Sequence, residues 1–173
     1  LPALFGRVEV TQYQFVRPRF NLKVFEDGHV SWEFPGGKVW QLLGQARAIR
    51  QATEPNAKAD LSDIARLKIG QFEIIDGTIA YENEQTGASE LLTNVNASLN
   101  WPDSASSWTI SGSTIWHDEA LDFSVRTNQP LLLMAGGTSP ASATIKSGAF
   151  QFTFSGDANM LSSLHLSGSA SLS

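Results

Sequence analysis

The sequence predicts a mainly β fold, a curled antiparallel β-sheet meander that forms an open groove or half-barrel, with one amphipathic helix. Three observations support this prediction. Beyond residue 67 the chain alternates apolar and polar residues with a period of two. Short clusters of Gly, Asn and Asp interrupt this alternation at hairpin spacing. Helical periodicity occurs in a single stretch, so the later strands lack the crossover helices that parallel pairing needs.

The first elements are expected to be strands at residues 7–10 and 20–24, followed by a turn at Asp27-Gly28 and a strand over residues 30–34. A helix over residues 38–53 is predicted because apolar residues recur there at intervals of three and four, and Pro55 ends the run. Residues 54–62 are polar and are expected to form a linker. The whole of 1–173 is predicted to be a single β-rich domain.

Beyond the linker, residues 69–81 predict a hairpin, with Asp76-Gly77 supplying the reversal because both residue types tolerate a positive φ. Further strands are expected over residues 95–101, 108–116 and 121–126. Turns or breaks are expected at residues 117–119, 128–130, 136–137, 147–148 and 155–157.

Composition narrows the class of protein. The 173 residues can bury an ordinary core, and the absence of cysteine excludes disulfides, thiolate catalysis and cysteine-ligated metals. Only 17% of residues are charged, against about 25% in an average soluble domain. Neutral polar residues replace the charges on the outward strand positions, a pattern that favours an extracytoplasmic β protein.

Charge is divided unevenly between the two parts of the chain. Residues 1–70 carry ten Lys and Arg against seven Asp and Glu (+3), and residues 71–173 carry two against ten (−8), which gives −5 in total. The acidic part argues against binding to nucleic acid, which depends on basic residues. No apolar run approaches the roughly twenty residues that cross a bilayer, and no signal-peptide pattern occurs. We expect the chain to be a piece of a longer protein.

Residues that could carry chemistry are few. His117, Asp118, Glu119 and Asp122 could bind a divalent metal if they converged, but successive strand residues point in opposite directions, so a turn is favoured. Several carboxylates could supply a pair for glycoside hydrolysis, namely Glu73, Asp76, Glu82, Glu84 and Glu90. The favoured interpretation is that they lie on solvated faces of strands. Neither a G-x-S-x-G elbow nor a phosphate-binding loop occurs. The sequence predicts no enzymatic activity, metal or cofactor.

An apolar strip across several strands is the remaining functional candidate. A closed core is its default interpretation, and the alternative is a face left open to lipid acyl chains, which need apolar area and few directed polar groups. Eight residues are candidates for lipid contact: Phe150, Phe152, Phe154, Leu121, Phe123, Val125, Val95 and Leu99.

The order of several motifs carries a resemblance. A strand with Asp27-Gly28 and Trp32 comes first, then a segment with glycines at 70 and 77, and then the Asn94-Val95-Asn96 strand. With residues 114–132 these stretches cover about half of the chain, and together they resemble the AsmA-like family of bacterial cell-envelope proteins. The closing residues 166–172 are also similar to that family's strands.

The resemblance implies a non-enzymatic periplasmic segment of a Gram-negative envelope protein, anchored in the inner membrane by parts outside this sequence. It implies a role in outer-membrane biogenesis and in transport of phospholipid, or another lipid, along an apolar sheet face. Two alternatives stay open. One is a β-sandwich adhesion or carbohydrate-binding module with Trp32, Trp101, Trp108 or Trp116 on an exposed platform. The other is a hydrolase with paired inward carboxylates.

Overall fold

A computed structural model describes residues 12–32, 41, 43–45, 48, 68–160 and 164–173. Nine strands form one sheet that is not closed into a barrel. Their bounds are β1 Gln12–Val16, β2 Arg19–Val24, β3 Lys68–Asn83, β4 Ala88–Asp103, β5 Trp108–Trp116, β6 Glu119–Thr127, β7 Thr138–Lys146, β8 Gln151–Met160 and β9 Leu164–Leu172. The predicted fold class, a mainly β and mostly antiparallel open sheet, is confirmed.

Strands β3 to β9 form the expected meander, in which each strand pairs with the next in antiparallel orientation. Short hairpin turns allow this order. The turn between β5 and β6 consists of His117 and Asp118, at φ values of 49° and 64°, so the two residues close a tight hairpin. The turn interpretation of this cluster is therefore confirmed.

The first two strands differ from the expectation, because β1 and β2 both run parallel to β3 and lie end to end along it. Parallel pairing needs a long connection, and residues 25–67 supply it. Residues 41, 43–45 and 48 of this connection are helical, in agreement with the predicted helix. The remainder of residues 38–53, the linker at 54–62 and the strand at 7–10 lie outside the described residues.

The hairpin predicted over residues 69–81 is wrong, because β3 continues through Asp76-Gly77 as a single strand of 16 residues. Asp76 has a φ of 54°, and the register with β4 shifts on both sides of Gly77. The positive φ therefore produces a β-bulge and not a reversal.

Similar irregularities lie beside this bulge on both neighbouring segments. Asn94 of β4 has a φ of 49°, and Arg17, between β1 and β2, has a φ of 52°. The Arg17 amide donates to the Ile75 carbonyl at 2.7 Å, and the Thr78 amide donates to the Pro18 carbonyl at 2.9 Å. Three adjacent segments thus bend at one level, and a bend shared between neighbours curls the sheet.

Three other expectations need correction. Val30 forms only an isolated bridge with Val24, and Ser31 and Trp32 lie in a turn, so the described part of residues 30–34 is not a strand. Residues 155–157 lie inside β8 and do not break it. A short helix over Pro130–Met134 was not predicted; its five residues are too few to display helical periodicity, although Pro at its start is a common helix-initiating signal.

Candidate functional site

Register aligns apolar residues of neighbouring strands on one side of the sheet. Two rows cross the sheet from one margin to the other, each residue opposite the next. They are Tyr13, Phe72, Leu99, Ile110, Val125, Ala143, Phe154 and Ala170, and then Phe15, Ile74, Ala97, Gly112, Phe123, Ile145, Phe152 and Leu172. We call the side that these rows define the apolar face.

The row between them points to the opposite side and is entirely polar. It consists of Gln14, Glu73, Ser98, Ser111, Ser124, Thr144, Thr153 and Ser171. Hydroxyls pair across this polar face, as Thr153 Oγ1 and Ser171 Oγ do at 2.7 Å. A sheet with one solvated side and one apolar side must place its apolar side against something other than water.

Seven of the eight candidate residues lie within strands on the apolar face. Phe150 lies just before β8, beyond the turn that follows β7. Val95, Leu121 and Phe154 are buried, whereas the other candidates are half-buried. The strip that the sequence indicated is therefore continuous, and it is neither fully closed nor fully open.

Exposure increases toward the two margins of the apolar face. At the β1 margin Phe15 is 42% exposed. At the β9 margin Leu164, Leu166 and Leu172 are 58%, 52% and 73% exposed. The central strands are thus sheltered, and apolar side chains of the outermost described strands meet solvent.

A pocket of about 290 Å³ opens on the apolar face beside β1 and β2. Its lining consists entirely of apolar residues: Phe15, Phe20, Phe72, Ile74, Ala97, Leu99 and Ile110. The Phe15 and Phe20 rings meet edge to face at 6.5 Å, and Tyr13 stacks on Phe72 at 4.7 Å. Sequence reasoning did not include most of these residues, because their convergence depends on the parallel pairing of β1 and β2 with β3.

Glycines at two places on the apolar face show how strongly the sheet curls. A Cβ at Gly112 would lie 2.7 Å from Ala97 Cα and would overlap the Asn96 carbonyl oxygen. A Cβ at Gly156 would lie 2.7 Å from Gly168 Cα, on the neighbouring strand. Only glycine permits this approach of backbones, and such positions mark where a sheet bends toward the face that they occupy.

The short helix covers one end of the apolar face. Its residues Leu131 and Leu133 are buried, as is the following Ala135. The buried hydroxyls of Thr127 and Ser139 are bonded at 2.7 Å, and the Gln129 amide at the helix start donates to Ser139 Oγ at 2.9 Å. These bonds join the ends of β6 and β7 to the helix.

The other end of the apolar face has a polar rim. The indole N–H of Trp116 donates to Glu90 Oε2 at 2.7 Å, and His117 Nε2 lies 2.9 Å from the same oxygen. The Trp116 hydrogen bond, followed by the one with His117, holds the pKa of the Glu90 carboxyl below its ordinary value. The two ends thus differ, since one is capped by apolar packing and the other by a hydrogen-bonded carboxylate.

The remaining predicted carboxylates lie where solvent reaches them. Glu82 and Glu84 flank Lys23 Nζ at 3.5 and 2.6 Å, and Glu73 accepts a hydrogen bond from Gln14 at 3.0 Å. The Lys23 ammonium group lowers the pKa of Glu84. Among the described residues, no three His, Asp or Glu side chains are placed to hold a metal ion.

The four tryptophans that the structure describes do not form one exposed platform. Trp101, Trp108 and Trp116 are half-buried on the apolar face, and Trp32 is exposed at a turn. The described strands form one sheet, so a second sheet that would complete a sandwich is not among them. Neither observation favours the carbohydrate-binding alternative.

Comparison with protein families, with curated proteins and with solved structures found no match to this chain. Within the part of the chain that the structure describes, no helix has the length and apolar character needed to cross a membrane.

Proposed function

We propose that this chain is a non-enzymatic periplasmic segment of an AsmA-like protein, and that its apolar face contacts the acyl chains of phospholipids or other lipids. In this proposal the segment contributes to outer-membrane biogenesis and lipid transport, and inner-membrane anchoring comes from parts of the full-length protein outside this chain. One observation carries the proposal: two unbroken rows of apolar and glycine residues cross all the strands from β3 to β9, and the pocket at their β1 end has no polar lining residue.

Acyl chains fit the chemistry of this surface better than sugars or charged metabolites do. Burying one methylene group is worth about 0.8 kcal/mol without any directed contact. A sugar needs placed donors and acceptors, and the pocket residues Phe15, Phe20 and Phe72 offer none. A surface of this kind would hold lipids by buried area and would let them slide, as transport requires.

The test uses two neighbouring residues on opposite sides of β1. Phe15 lines the pocket and is 42% exposed, whereas Val16 is 58% exposed and points to the polar face. Phe15→Asp and Val16→Asp introduce the same charge on the same strand. Because both positions meet solvent, neither substitution removes a core residue.

Delipidated protein would be titrated with phosphatidylethanolamine that carries a fluorescent acyl chain. We expect Phe15→Asp to weaken binding at least tenfold, since a carboxylate in an acyl-chain site loses its hydration, and Val16→Asp to bind like the parent. Far-ultraviolet circular dichroism checks the fold of both variants. Absence of binding by the parent, or equal binding by the two folded variants, would refute the proposal.

A second pair of variants extends the test to the central strands. Phe123 and Phe152 are half-buried and lie in one row of the apolar face. Phe123→Leu and Phe152→Leu preserve apolar character but remove ring area, so we expect lipid affinity to decrease only slightly. A complete loss of binding with an intact fold would point to specific ring contacts and contradict an area-based mechanism.

A further inference from the structure

The polar rim of the apolar face combines a carboxylate with two aromatic rings. Tyr81 of β3 pairs with Glu90 of β4, and Leu92 of β4 pairs with Trp116 of β5. Residues two apart in a regular strand point to the same side of the sheet, so Glu90 and Leu92 share a side. The side chains of Tyr81, Glu90 and Trp116 therefore meet at the rim of the apolar face.

The Glu90 carboxylate has one oxygen left for a ligand. Trp116 Nε1 donates to Oε2 at 2.7 Å, and His117 Nε2 lies 2.9 Å from the same atom. Both contacts use one oxygen, and none of the described residues bonds to Oε1. The bond from Trp116, followed by the one with His117, holds the pKa of this carboxyl below its ordinary value, so it is ionised at neutral pH. The Glu90 side chain is 43% exposed, and a ligand can reach it.

The charge at this rim favours a cationic ligand. Glu119, which pairs with Trp116, adds a second carboxylate to the same side. Lys23 lies on the other side of the sheet, where its ammonium group is 3.5 Å from Glu82 and 2.6 Å from Glu84. The ring of a Trp or Tyr also attracts a cation that lies within about 6 Å of the ring centroid.

An apolar path joins the rim to the pocket beside β1 and β2. Ile79 and Leu92 pair with each other next to the rim, and both are half-buried. Phe20, which pairs with Ile79, lines the pocket. The hydroxyl of Thr114 donates to the Thr93 carbonyl at 3.0 Å, so it does not interrupt the path.

The length of this path matches one phospholipid. Ile110 lines the pocket and Trp116 lies at the rim, six residues further along β5, which is about 20 Å at a rise of about 3.3 Å per residue. A bilayer with its headgroups is about 40–45 Å thick, so one lipid spans about 20–22 Å from chain end to headgroup. A lipid with an acyl chain in the pocket therefore places its headgroup at Glu90.

We propose that Glu90, Trp116 and Tyr81 form a headgroup site that selects phospholipids with a primary ammonium group, such as phosphatidylethanolamine, over anionic phospholipids. The ammonium group donates to Glu90 Oε1 beside the two rings, and one acyl chain follows the apolar path to the pocket. Phosphatidylglycerol offers no cation and brings its phosphate toward a carboxylate, and like charges repel. This inference rests on the proposed function, since it assumes that the apolar face holds acyl chains.

The test compares the Kd values of phosphatidylethanolamine and phosphatidylglycerol that carry identical fluorescent acyl chains. We expect the parent to bind phosphatidylethanolamine about three- to tenfold more tightly, the range for a partly exposed charge contact supported by aromatic rings. Glu90→Gln keeps the size of the side chain and removes its charge, so the two Kd values should become nearly equal. Glu73→Gln is the matched control. It removes one charge from the polar face, where Glu73 accepts a hydrogen bond from Gln14 at 3.0 Å, and should keep the preference of the parent.

Acyl-chain length tests the alignment of the lipid. Phosphatidylethanolamine with chains about half the ordinary length can reach Glu90 but cannot also fill the pocket. Its binding should be weakened by Glu90→Gln and left unchanged by Phe15→Asp. Short-chain lipid that responds to Phe15→Asp and not to Glu90→Gln would overturn the alignment.

The outcomes separate this inference from the proposed function. Circular dichroism checks the fold of every variant. Equal binding of the two lipids by the parent, a preference retained in folded Glu90→Gln, or a preference lost in folded Glu73→Gln would overturn the headgroup site while acyl-chain binding stands. Absence of binding of either lipid by the parent would refute the proposed function and the headgroup site with it.

Discussion

Replacing Gly112 with alanine tests the curl of the sheet most directly. The added Cβ would lie 2.7 Å from Ala97 Cα and would overlap the Asn96 carbonyl oxygen. Both neighbours are backbone atoms of β4, so a side-chain rotation cannot relieve the contact. Overpacking of this kind costs about 1–3 kcal/mol, and the reduced freedom of the unfolded chain returns about 0.4–1 kcal/mol. We expect a net loss of about 1–2 kcal/mol in the free energy of unfolding.

Gly148→Ala is the matched control, because a Cβ at Gly148, in the turn between β7 and β8, would have no atom within 4 Å. In this variant the added Cβ only reduces the conformational freedom of the unfolded chain, so the folded state should be stabilised by about 0.4–1 kcal/mol. For a chain of this length 1 kcal/mol corresponds to about 2–4 °C in Tm. Thermal unfolding followed by circular dichroism should move the two Tm values in opposite directions. If Gly112→Ala unfolds at or above the parent Tm, the proposed backbone approach between β4 and β5 is wrong.

Three further variants probe the bend and the two ends of the apolar face. Ser139→Ala leaves the buried Thr127 hydroxyl and the Gln129 amide without their shared partner. Urea unfolding should therefore show that the free energy of unfolding falls by about 1–3 kcal/mol. A decrease smaller than about 0.5 kcal/mol, half of the lower bound, would show that the hydroxyl pair does not anchor the short helix. Asp76→Val should lower the stability by about 1–3 kcal/mol although valine favours strands, because a β-branched residue resists a positive φ; a stabilised variant would argue against the bulge. The Glu90 carboxyl, whose pKa is lowered in the folded protein, stabilises the fold above its unfolded-state pKa, and this contribution is lost as pH falls through the folded-state pKa. Glu90→Gln should therefore flatten the acid limb of the Tm-against-pH profile, and an unchanged profile would contradict this linkage.

Much of the meander was predictable from period and turn residues. The alternation of β4, β5 and β6 assigned Val95, Leu121 and Phe123 to one side before any pairing was known, because side-chain direction alternates along a regular stretch of strand. Asp76-Gly77 was misassigned for a physical reason. A residue tolerant of positive φ permits either a reversal or a bulge, and the pairing with distant strands decides between them.

The candidate surface was only partly predictable, for a similar reason. Phe15 and Phe20 are separated from Phe72 and Ile74 by about fifty residues of sequence, and local patterns contain no information on parallel pairing across such a connection. The exposure of apolar side chains at the margins could not be predicted from the sequence either, since it depends on which strands occupy the two ends of the sheet. Leu166 and Leu172 have the same local pattern as Leu121, but only the β9 residues lie at an edge.

The bulge at Asp76 has a consequence for how this architecture could change. Ile74 and Gly77 occupy the same side of β3 although they are three residues apart, and Leu92 and Val95 of β4 do likewise. Asp76 and Asn94 are therefore single-residue insertions, and deleting both together would restore a regular alternation with every apolar side chain on its present side. The extra residue in each of these two strands thus adds curvature, and the glycines on the apolar face leave room for the neighbouring backbones. Paired one-residue deletions would therefore change the curvature of the apolar face without moving any apolar side chain to the other side of the sheet.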